Sequence, residues 1–157
     1  MHQLFKDESE FNNNISNWDV SQVTNMSEML YQASAFNQDL ATWDVSSLQN
    51  MNSMFFRAQV FTSDLSLWDV SAVTTMQAAF MDATLFNSDL SQWNVGSVLN
   101  MNSLFSLCTA FDSDLNQWNV SNVSEMRSMF NGAGSFTSNL NSWNMSAVQF
   151  TQQMFLG

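Results

Sequence analysis

The chain has 157 residues, enough for one domain, and 45% of them are hydrophobic, so a core can be buried. Only three residues are basic (Lys6, Arg57 and Arg127) against 14 acidic ones, which gives a net charge of −11. This balance argues against binding to nucleic acid or to an anionic membrane surface, and no apolar run approaches the ~18 residues of a membrane-spanning helix.

A 25-residue repeat runs through the whole sequence. Its clearest marker is tryptophan, because the six tryptophans of the chain are each 25 residues apart. They are Trp18, Trp43, Trp68, Trp93, Trp118 and Trp143. Other hydrophobic residues recur with the same step and without insertions, and we call each set of residues related by this step a column. A fixed period of this length is typical of solenoids, propellers and arrays, whose units are stabilised by stacking on their neighbours.

The residues around each tryptophan predict a short parallel strand. Leu40, Trp43 and Val45 have the spacing LxxWxV, which matches the LxxLxL strand of leucine-rich repeats. Trp43 and Val45 would share the buried face of such a strand, whereas Asp44 would point outwards. We therefore predict that the tryptophan column is structural core, with each ring stacked on the next.

The remainder of each repeat predicts a helix of about three turns and a polar return loop. Hydrophobic residues occur here at i, i+3, i+6, i+7 and i+10, which places them on one helix face. In one repeat they are Leu48, Met51, Met54, Phe55 and Ala58. Ser46 stands where a helix N-cap is expected. The prediction is an α/β, leucine-rich-repeat-like, right-handed solenoid over residues 1–157, with a short parallel strand and a helix in each 25-residue repeat.

The register at the two ends predicts about six repeats without caps. Met1 falls in the column of Met26 and Phe155 is still in phase with Phe130, so residues 1–10 form a partial repeat. Soluble repeat arrays normally need terminal caps. We therefore expect either a piece of a longer array or ends that stack on copies of the chain. Capping by Lys6–Glu10 and fraying are further alternatives.

The segment FNQDLATWDVSSLQNMNSMFFRA, residues 36–58, closely resembles the repeat of a bacterial surface protein family found in BspA-like proteins and in mycoplasma and Listeria lipoproteins. The resemblance covers nearly all of residues 1–157. It implies a leucine-rich-repeat-like solenoid, an extracellular or cell-surface location, and a non-catalytic role in interaction or adhesion. The later repeats depart from the motif, because WDV becomes WNV at Trp93 and Trp118 and WNM at Trp143.

One column of carboxylates lies in the predicted return loops. It contains Asp39, Asp64, Asp89 and Asp114, flanked by Asn14 and Asn139. Each carboxylate is expected to accept N–H bonds from its own turn, which keeps it ionised and which Asn can replace. A row of calcium ions is the alternative, because Ca²⁺ prefers oxygen ligands, although the Gly-Asp nonapeptide of calcium-binding rolls is absent. We assign no metal and no cofactor.

A second polar column follows the tryptophans directly, on the outward face of the predicted strands. We predict that it binds a protein or a cell-surface ligand, with a solvated sheet face as the alternative. Its members are Asp19, Asp44, Asp69, Asn94, Asn119 and Asn144.

No catalytic site can be assembled from the sequence. His2 is the only histidine and Cys108 the only cysteine, so neither a Ser-His-Asp nor a Cys-His arrangement is predicted. Cys108 replaces a column alanine and is expected to be a buried thiol. Five Asn-x-Ser sequons are candidate glycosylation sites if the protein is secreted by a eukaryote. They are Asn14, Asn25, Asn119, Asn122 and Asn144.

These features predict a non-catalytic, surface-exposed or secreted repeat protein that acts as a protein-interaction or adhesion module. The alternative is a structural subunit of an extracellular fibre or matrix, assembled by end-to-end stacking through uncapped ends.

Overall fold

The computed structural model describes all residues 1–157 and contains no α-helix and no extended β-strand. The only strand-like contacts are five isolated parallel bridges, each between residues 25 positions apart. They join Asn25 to Asn50, Asn50 to Thr75, Thr75 to Asn100, Asn100 to Glu125, and Glu125 to Phe150. The prediction of an α/β, leucine-rich-repeat-like, right-handed solenoid is therefore wrong. The 25-residue units stack as layers, and each layer is built from turns.

The predicted helix is absent because its backbone N–H groups bond to the next layer. In a helix, the N–H of Phe55 would donate to the carbonyl of Met51, four residues earlier. It donates instead to the carbonyl of Ala79 at 2.8 Å, and the N–H of Ser53 donates to Gln77 at 2.8 Å. The same offset of 24 residues recurs at alternate residues of this segment in every layer that has a following one. Bonds between layers thus replace bonds within a helix.

Two residues in this segment of each layer have a left-handed backbone. In one layer they are Ser53 (φ 52°) and Arg57 (φ 57°), and Gly132 (φ 70°) belongs to the column of Arg57. A left-handed conformation costs a non-glycine residue about 1–2 kcal/mol, which the bonds between layers must offset. The other left-handed residues are Gln3, Asp7, Glu28, Gln32, Ala78, Asp82, Ser103, Leu107, Ser128, Gln153 and Gly157.

The predicted strand is absent because turns lie on both sides of the Trp-Asp-Val sequence. The N–H of Trp43 donates to the carbonyl of Leu40 at 3.1 Å, and the N–H of Leu48 donates to Val45 at 2.8 Å. Ser46 does not cap a helix: its N–H and its hydroxyl donate to Oδ1 of Asp44 at 3.0 and 2.6 Å. This is an Asx turn, in which a side chain takes the place of a backbone carbonyl.

The hydrophobic core is one cluster of 43 buried residues that runs through the stack. It includes all the hydrophobic residues that the helical pattern had placed on one face, each of them fully buried. They are Leu48, Met51, Met54, Phe55 and Ala58. The pattern therefore identified the inward positions, although the backbone that carries them is not helical.

Two rows of stacked phenylalanine rings fill the centre of the core. In one row, Phe36, Phe61 and Phe86 follow one another with ring centroids 5.9 and 6.0 Å apart. In the other row, the centroids of Phe55 and Phe80 are 5.3 Å apart, and Phe55 also stacks on Phe61 at 4.4 Å. Each ring thus contacts rings of its own layer and of the next, which makes the layers one continuous core.

Candidate functional site

The tryptophan column fixes the turn that carries the second polar column. The indole N–H of Trp43 donates to the carbonyl of Ile15 at 3.2 Å, and that of Trp68 donates to Leu40 at 3.0 Å. The same bond to a residue 28 positions earlier is made by Trp93, Trp118 and Trp143. Five of the rings are between 3% and 8% exposed, whereas Trp18 is 39% exposed.

The indole rings stack in two pairs. The centroids of Trp43 and Trp68 are 6.4 Å apart with an angle of 6° between the rings, and those of Trp93 and Trp118 are 6.4 Å apart with an angle of 2°. The small angles show that the paired rings are parallel, and the long centroid distance shows that they are offset. The tryptophans therefore position the exposed residue that follows each of them relative to its neighbours above and below.

The predicted partner-binding column is exposed along its whole length. Each member lies between a tryptophan and a buried Val or, at the end, the half-exposed Met145. Oδ1 of each member accepts the backbone N–H two residues later, at 3.0–3.2 Å. The members are Asp19, Asp44, Asp69, Asn94, Asn119 and Asn144. Because Asp and Asn make the same turn, the column keeps its geometry while its charge disappears halfway along the stack.

The carboxylates of this column are held ionised by their turns. A hydrogen bond from the Ser21 hydroxyl, with a further one from the Ser21 N–H, lowers the pKa of Asp19 below its usual range. The pKa values of Asp44 and Asp69 are lowered in the same way by Ser46 and Ser71. Repulsion from the carboxylate of Asp44 raises the pKa values of Asp19 and Asp69, but this effect is weaker than that of the hydrogen bonds. The Oδ2 atoms accept no hydrogen bond from the chain and face solvent.

The first carboxylate column is also tied into turns and, in addition, joins neighbouring layers. Oδ1 of Asp64 accepts the N–H of Ser66 at 2.9 Å and the hydroxyl of Ser88 at 3.1 Å. Oγ of Ser88 in turn accepts the N–H of Leu65 at 2.8 Å. The N–H of Ser66, with its hydroxyl, lowers the pKa of Asp64, and Asp89 has a lowered pKa for the same reason. These contacts are the turn-capping role expected from the sequence.

Two open cavities lie along this first column. One, of about 450 Å³, is lined only by polar residues, among them Asp89, Asp114 and Gln117. The other, of about 350 Å³, includes Asp39 and Asp64. No group of three or more His, Cys, Asp or Glu side chains is placed to hold a metal ion.

All five sequon asparagines are exposed. In four of them Oδ1 accepts the N–H of the sequon serine, which leaves the amide nitrogen, the atom that would be glycosylated, directed away from that turn. These four are Asn14, Asn25, Asn119 and Asn144. The amide nitrogen of Asn122 instead donates to the carbonyl of Gly96 at 2.7 Å.

The single histidine and the single cysteine lie in different parts of the stack. Nδ1 of His2 is 2.7 Å from the hydroxyl of Ser27, which is 7% exposed and bonds to the amide of Asn25. No carboxylate forms a hydrogen bond with the His2 ring, so the two side chains are not part of a Ser-His-Asp triad. The buried thiol of Cys108 donates to the carbonyl of Phe80 at 2.7 Å, and burial raises the pKa of that thiol.

Sequence reasoning missed the side-chain ladder in the loop before each tryptophan. The N–H of Asn37 donates to Oδ1 of Asn12, and the N–H of Thr62 donates to Oδ1 of Asn37, both at 2.9 Å. The same bond recurs later, where the N–H of Asp112 donates to Oδ1 of Asn87. The signal was present in the sequence, because this column is Asn, Asn, Thr, Asn, Asp and Thr, all of which can accept a hydrogen bond.

No membrane-spanning helix is found in the structure. No curated protein matches the chain. One family model matches it twice, over residues 1–84 and 61–157, and its description reads Mycoplasma protein of unknown function, DUF285. The two matches overlap and together span the whole repeat array, so the chain belongs to the DUF285 family of mycoplasma repeat proteins.

Proposed function

We propose that the protein is a non-catalytic, surface-exposed or secreted module that binds a protein or cell-surface ligand, as in adhesion. We also propose that the chain is related to BspA-like surface proteins and to Listeria lipoproteins, and that it is extracellular or lies at the cell surface. What supports it most directly is the exposed column that contains Asp44, because a fixed turn in every layer repeats one polar group along one line.

The column suits recognition by area because its members are rigid and accessible. In Asp44 and Asp69 one oxygen is held by the turn while the other remains free for a partner. Three layers present carboxylates and the following three present amides, so a partner would meet a negative half and a neutral half. Nucleic acid is not proposed as a partner, because the chain has only three basic residues.

Binding of the fluorescently labelled chain to intact animal cells, and to immobilised collagen, fibronectin and laminin, tests this proposal. Replacing Asp19, Asp44 and Asp69 with Asn keeps the Asx turns and removes the charge, so binding should weaken at least about tenfold, with no larger fall in the unfolding midpoint than in the matched control. The matched control converts Asp39, Asp64 and Asp89 to Asn. Equal losses in both variants, or no binding to any of these probes, would contradict the proposal.

The alternative function, a subunit of an extracellular fibre or matrix, is favoured by one observation. The same backbone bonds join every pair of neighbouring layers, such as Phe55 to Ala79 and Phe80 to Leu104. The backbone N–H and carbonyl groups of an end layer could therefore form the same bonds with a layer of another copy. Electron microscopy of the purified chain distinguishes the two functions: filaments whose axial repeat equals the layer spacing support the fibre, and discrete particles support the module.

A further inference from the structure

The charges of the chain are divided between two halves of each layer. The half that runs from the column of Phe11 to the column of Thr24 contains no basic residue and eight acidic ones. These are Asp19, Asp39, Asp44, Asp64, Asp69, Asp89, Asp112 and Asp114. The other half carries all three basic residues, Lys6, Arg57 and Arg127, together with the six remaining acidic residues. This second half therefore repels another copy of the chain less strongly than the first half does.

An exposed row of apolar residues lies on this second half, and we call it the apolar ridge. It consists of Ala35, Val60, Leu85 and Ala110, one residue in each of four successive layers. Val60 is 38% exposed and Leu85 is 53% exposed, whereas Ala35 and Ala110 at the two ends are partly buried. Two residues before each ridge residue lies the buried column of Ala58 and Cys108, and two residues after it lies the polar column of Asn37, so the ridge runs between a buried and a polar column.

The ridge is nearly the same when its order is reversed. Read backwards, the ridge is Ala, Leu, Val, Ala. A two-fold axis between the layers of Val60 and Leu85 would therefore place Val60 of each copy against Leu85 of the other copy. The layer spacing is the same in both copies, so Ala35 would meet Ala110 at the two ends. A surface that is complementary to itself in this way is what a two-fold dimer requires.

The charges beside the ridge have the same symmetry. Arg57 lies in the layer of Val60, and Asp82 lies in the layer of Leu85, each three residues before the ridge residue. The two-fold axis would therefore bring Arg57 of each copy opposite Asp82 of the other. Within one chain, Nε of Arg57 already donates to Oδ2 of Asp82 at 3.2 Å and Nη1 reaches Gln32 at 3.4 Å.

Both charged groups keep bonding capacity for a second copy. The Arg57 side chain is 52% exposed and its Nη2 makes no bond within the chain. The Asp82 side chain is 19% exposed, and its Oδ1 accepts no bond. The face of the Arg57 guanidinium lies over the ring of Phe56, 5.3 Å from its centroid, which limits its orientation. The pair would thus extend into a network of four charges across the axis.

We propose that two copies of this chain dimerise side by side through the apolar ridge, with Arg57 and Asp82 of each copy paired with those of the other. The ridge is a contact surface distinct from the exposed column of Asp44, which lies on the acidic half and stays accessible in the dimer. Side-by-side pairing is also distinct from end-to-end growth, because it stops at two copies.

Sedimentation equilibrium of the full chain from about 10 µM to about 1 mM tests this proposal, and a reversible dimer is expected. Leu85→Glu should raise the dimer dissociation constant at least about tenfold, because it places a charge in the ridge of both copies. Leu67→Glu is the matched control, since Leu67 is 87% exposed but lies on the acidic half, and its effect should stay within about threefold.

A charge exchange gives the decisive result. Arg57→Glu alone and Asp82→Arg alone should each weaken self-association, because like charges then meet across the axis. A mixture of the two variants should form a heterodimer about as stable as the native dimer. A native chain that stays monomeric up to about 1 mM, equal effects of Leu85→Glu and Leu67→Glu, or no recovery in the mixture would each overturn the proposal. The urea midpoints of all variants show that loss of pairing is not loss of folding.

Discussion

The indole N–H of Trp93 donates a hydrogen bond of 2.9 Å to the carbonyl of Leu65, which lies 28 residues earlier in the chain. The same ring is parallel to that of Trp118, with centroids 6.4 Å apart, and its centroid is 6.3 Å from that of Phe80. One side chain therefore contacts the layer before it and the layer after it, and the indole hydrogen bond recurs in the five tryptophans from Trp43 to Trp143.

Trp93→Phe should lower the free energy of unfolding by about 1–3 kcal/mol. Most of this loss is expected from the missing ring volume, because the carbonyl of Leu65 keeps the bond from the N–H of Trp68 at 3.1 Å. Urea unfolding followed by tryptophan fluorescence measures the change. Trp18→Phe is the control: Trp18 is 39% exposed and its indole makes no such bond, so its loss should be clearly smaller. Equal losses would show that the bond and stack between layers contribute nothing.

Ala78→Gly should stabilise the protein by about 0.5–1 kcal/mol, against the usual effect of such a change. Ala78 has φ 52°, a conformation that glycine adopts freely and alanine does not, and its methyl group is small. Ala79→Gly is the matched control, because Ala79 is the next residue, is fully buried and is not left-handed. That variant should destabilise. A loss of stability in both variants, measured by thermal and urea unfolding, would contradict the left-handed backbone at Ala78.

The sequence predicted which residues lie inside but not the backbone that places them there. Met51, Met54 and Phe55 are buried as expected, since the spacing of hydrophobic residues reports only their direction. A backbone that is left-handed at Ser53 and Arg57 directs the same residues inwards. The choice between the two backbones depends on partners in the next layer, such as Ala79 for Phe55, and no local pattern contains that information.

The polar columns were easier to predict, because their geometry is local. The Asx turn of Asp44 joins residues two apart and follows from the Asp-x-Ser sequence. The role of Ser88 was missed, since it joins Asp64 and Leu65, residues 24 and 23 positions earlier. Contacts at that distance become visible only when the layers are stacked.

Ser88→Ala should therefore lower the free energy of unfolding by about 1–3 kcal/mol, because it leaves the buried N–H of Leu65 without an acceptor. The carboxylate of Asp64 loses the Ser88 hydroxyl in the same change, at an exposed site where the effect is smaller. Ser97→Ala is the control, since that hydroxyl donates to the carbonyl of Ser71 in solvent. Urea unfolding of the two variants should differ, and the same small loss in both would contradict the role of Ser88.

Acid should destabilise the stack through its turn-bound carboxylates. The Ser46 hydroxyl and N–H lower the pKa of Asp44, so the folded state binds its proton less readily than the unfolded chain, where the pKa is near 3.8. The stabilising contribution is therefore complete above that value and is lost as the pH falls through the lower pKa of the folded state. Urea midpoints measured between pH 7 and pH 2 should fall steeply only at the acidic end.

Asp44→Asn isolates this effect, because Asn keeps the turn and does not titrate. The difference in stability between the native chain and this variant should shrink as the pH falls below about 4. Asn119→Asp is the inverse control: Ser121 follows it in the same turn, so the new carboxylate should add acid sensitivity. A difference for Asp44→Asn that is independent of pH would show that the carboxylate is not bound in the folded state.

Thr62→Asn should stabilise the stack by about 0.5–1 kcal/mol by completing the side-chain ladder. Oδ1 of Asn37 accepts the N–H of Thr62, and Oδ1 of Asn87 accepts the N–H of Asp112, both at 2.9 Å, but the N–H of Asn87 has no acceptor on Thr62. The threonine side chain is shorter and its hydroxyl donates to Asn37 instead. Thr62→Ala is the control, since it removes that hydroxyl and supplies no acceptor. Slower hydrogen exchange of the Asn87 amide in Thr62→Asn alone identifies the new bond directly. An unchanged exchange rate would mean that the ladder cannot be continued at this layer.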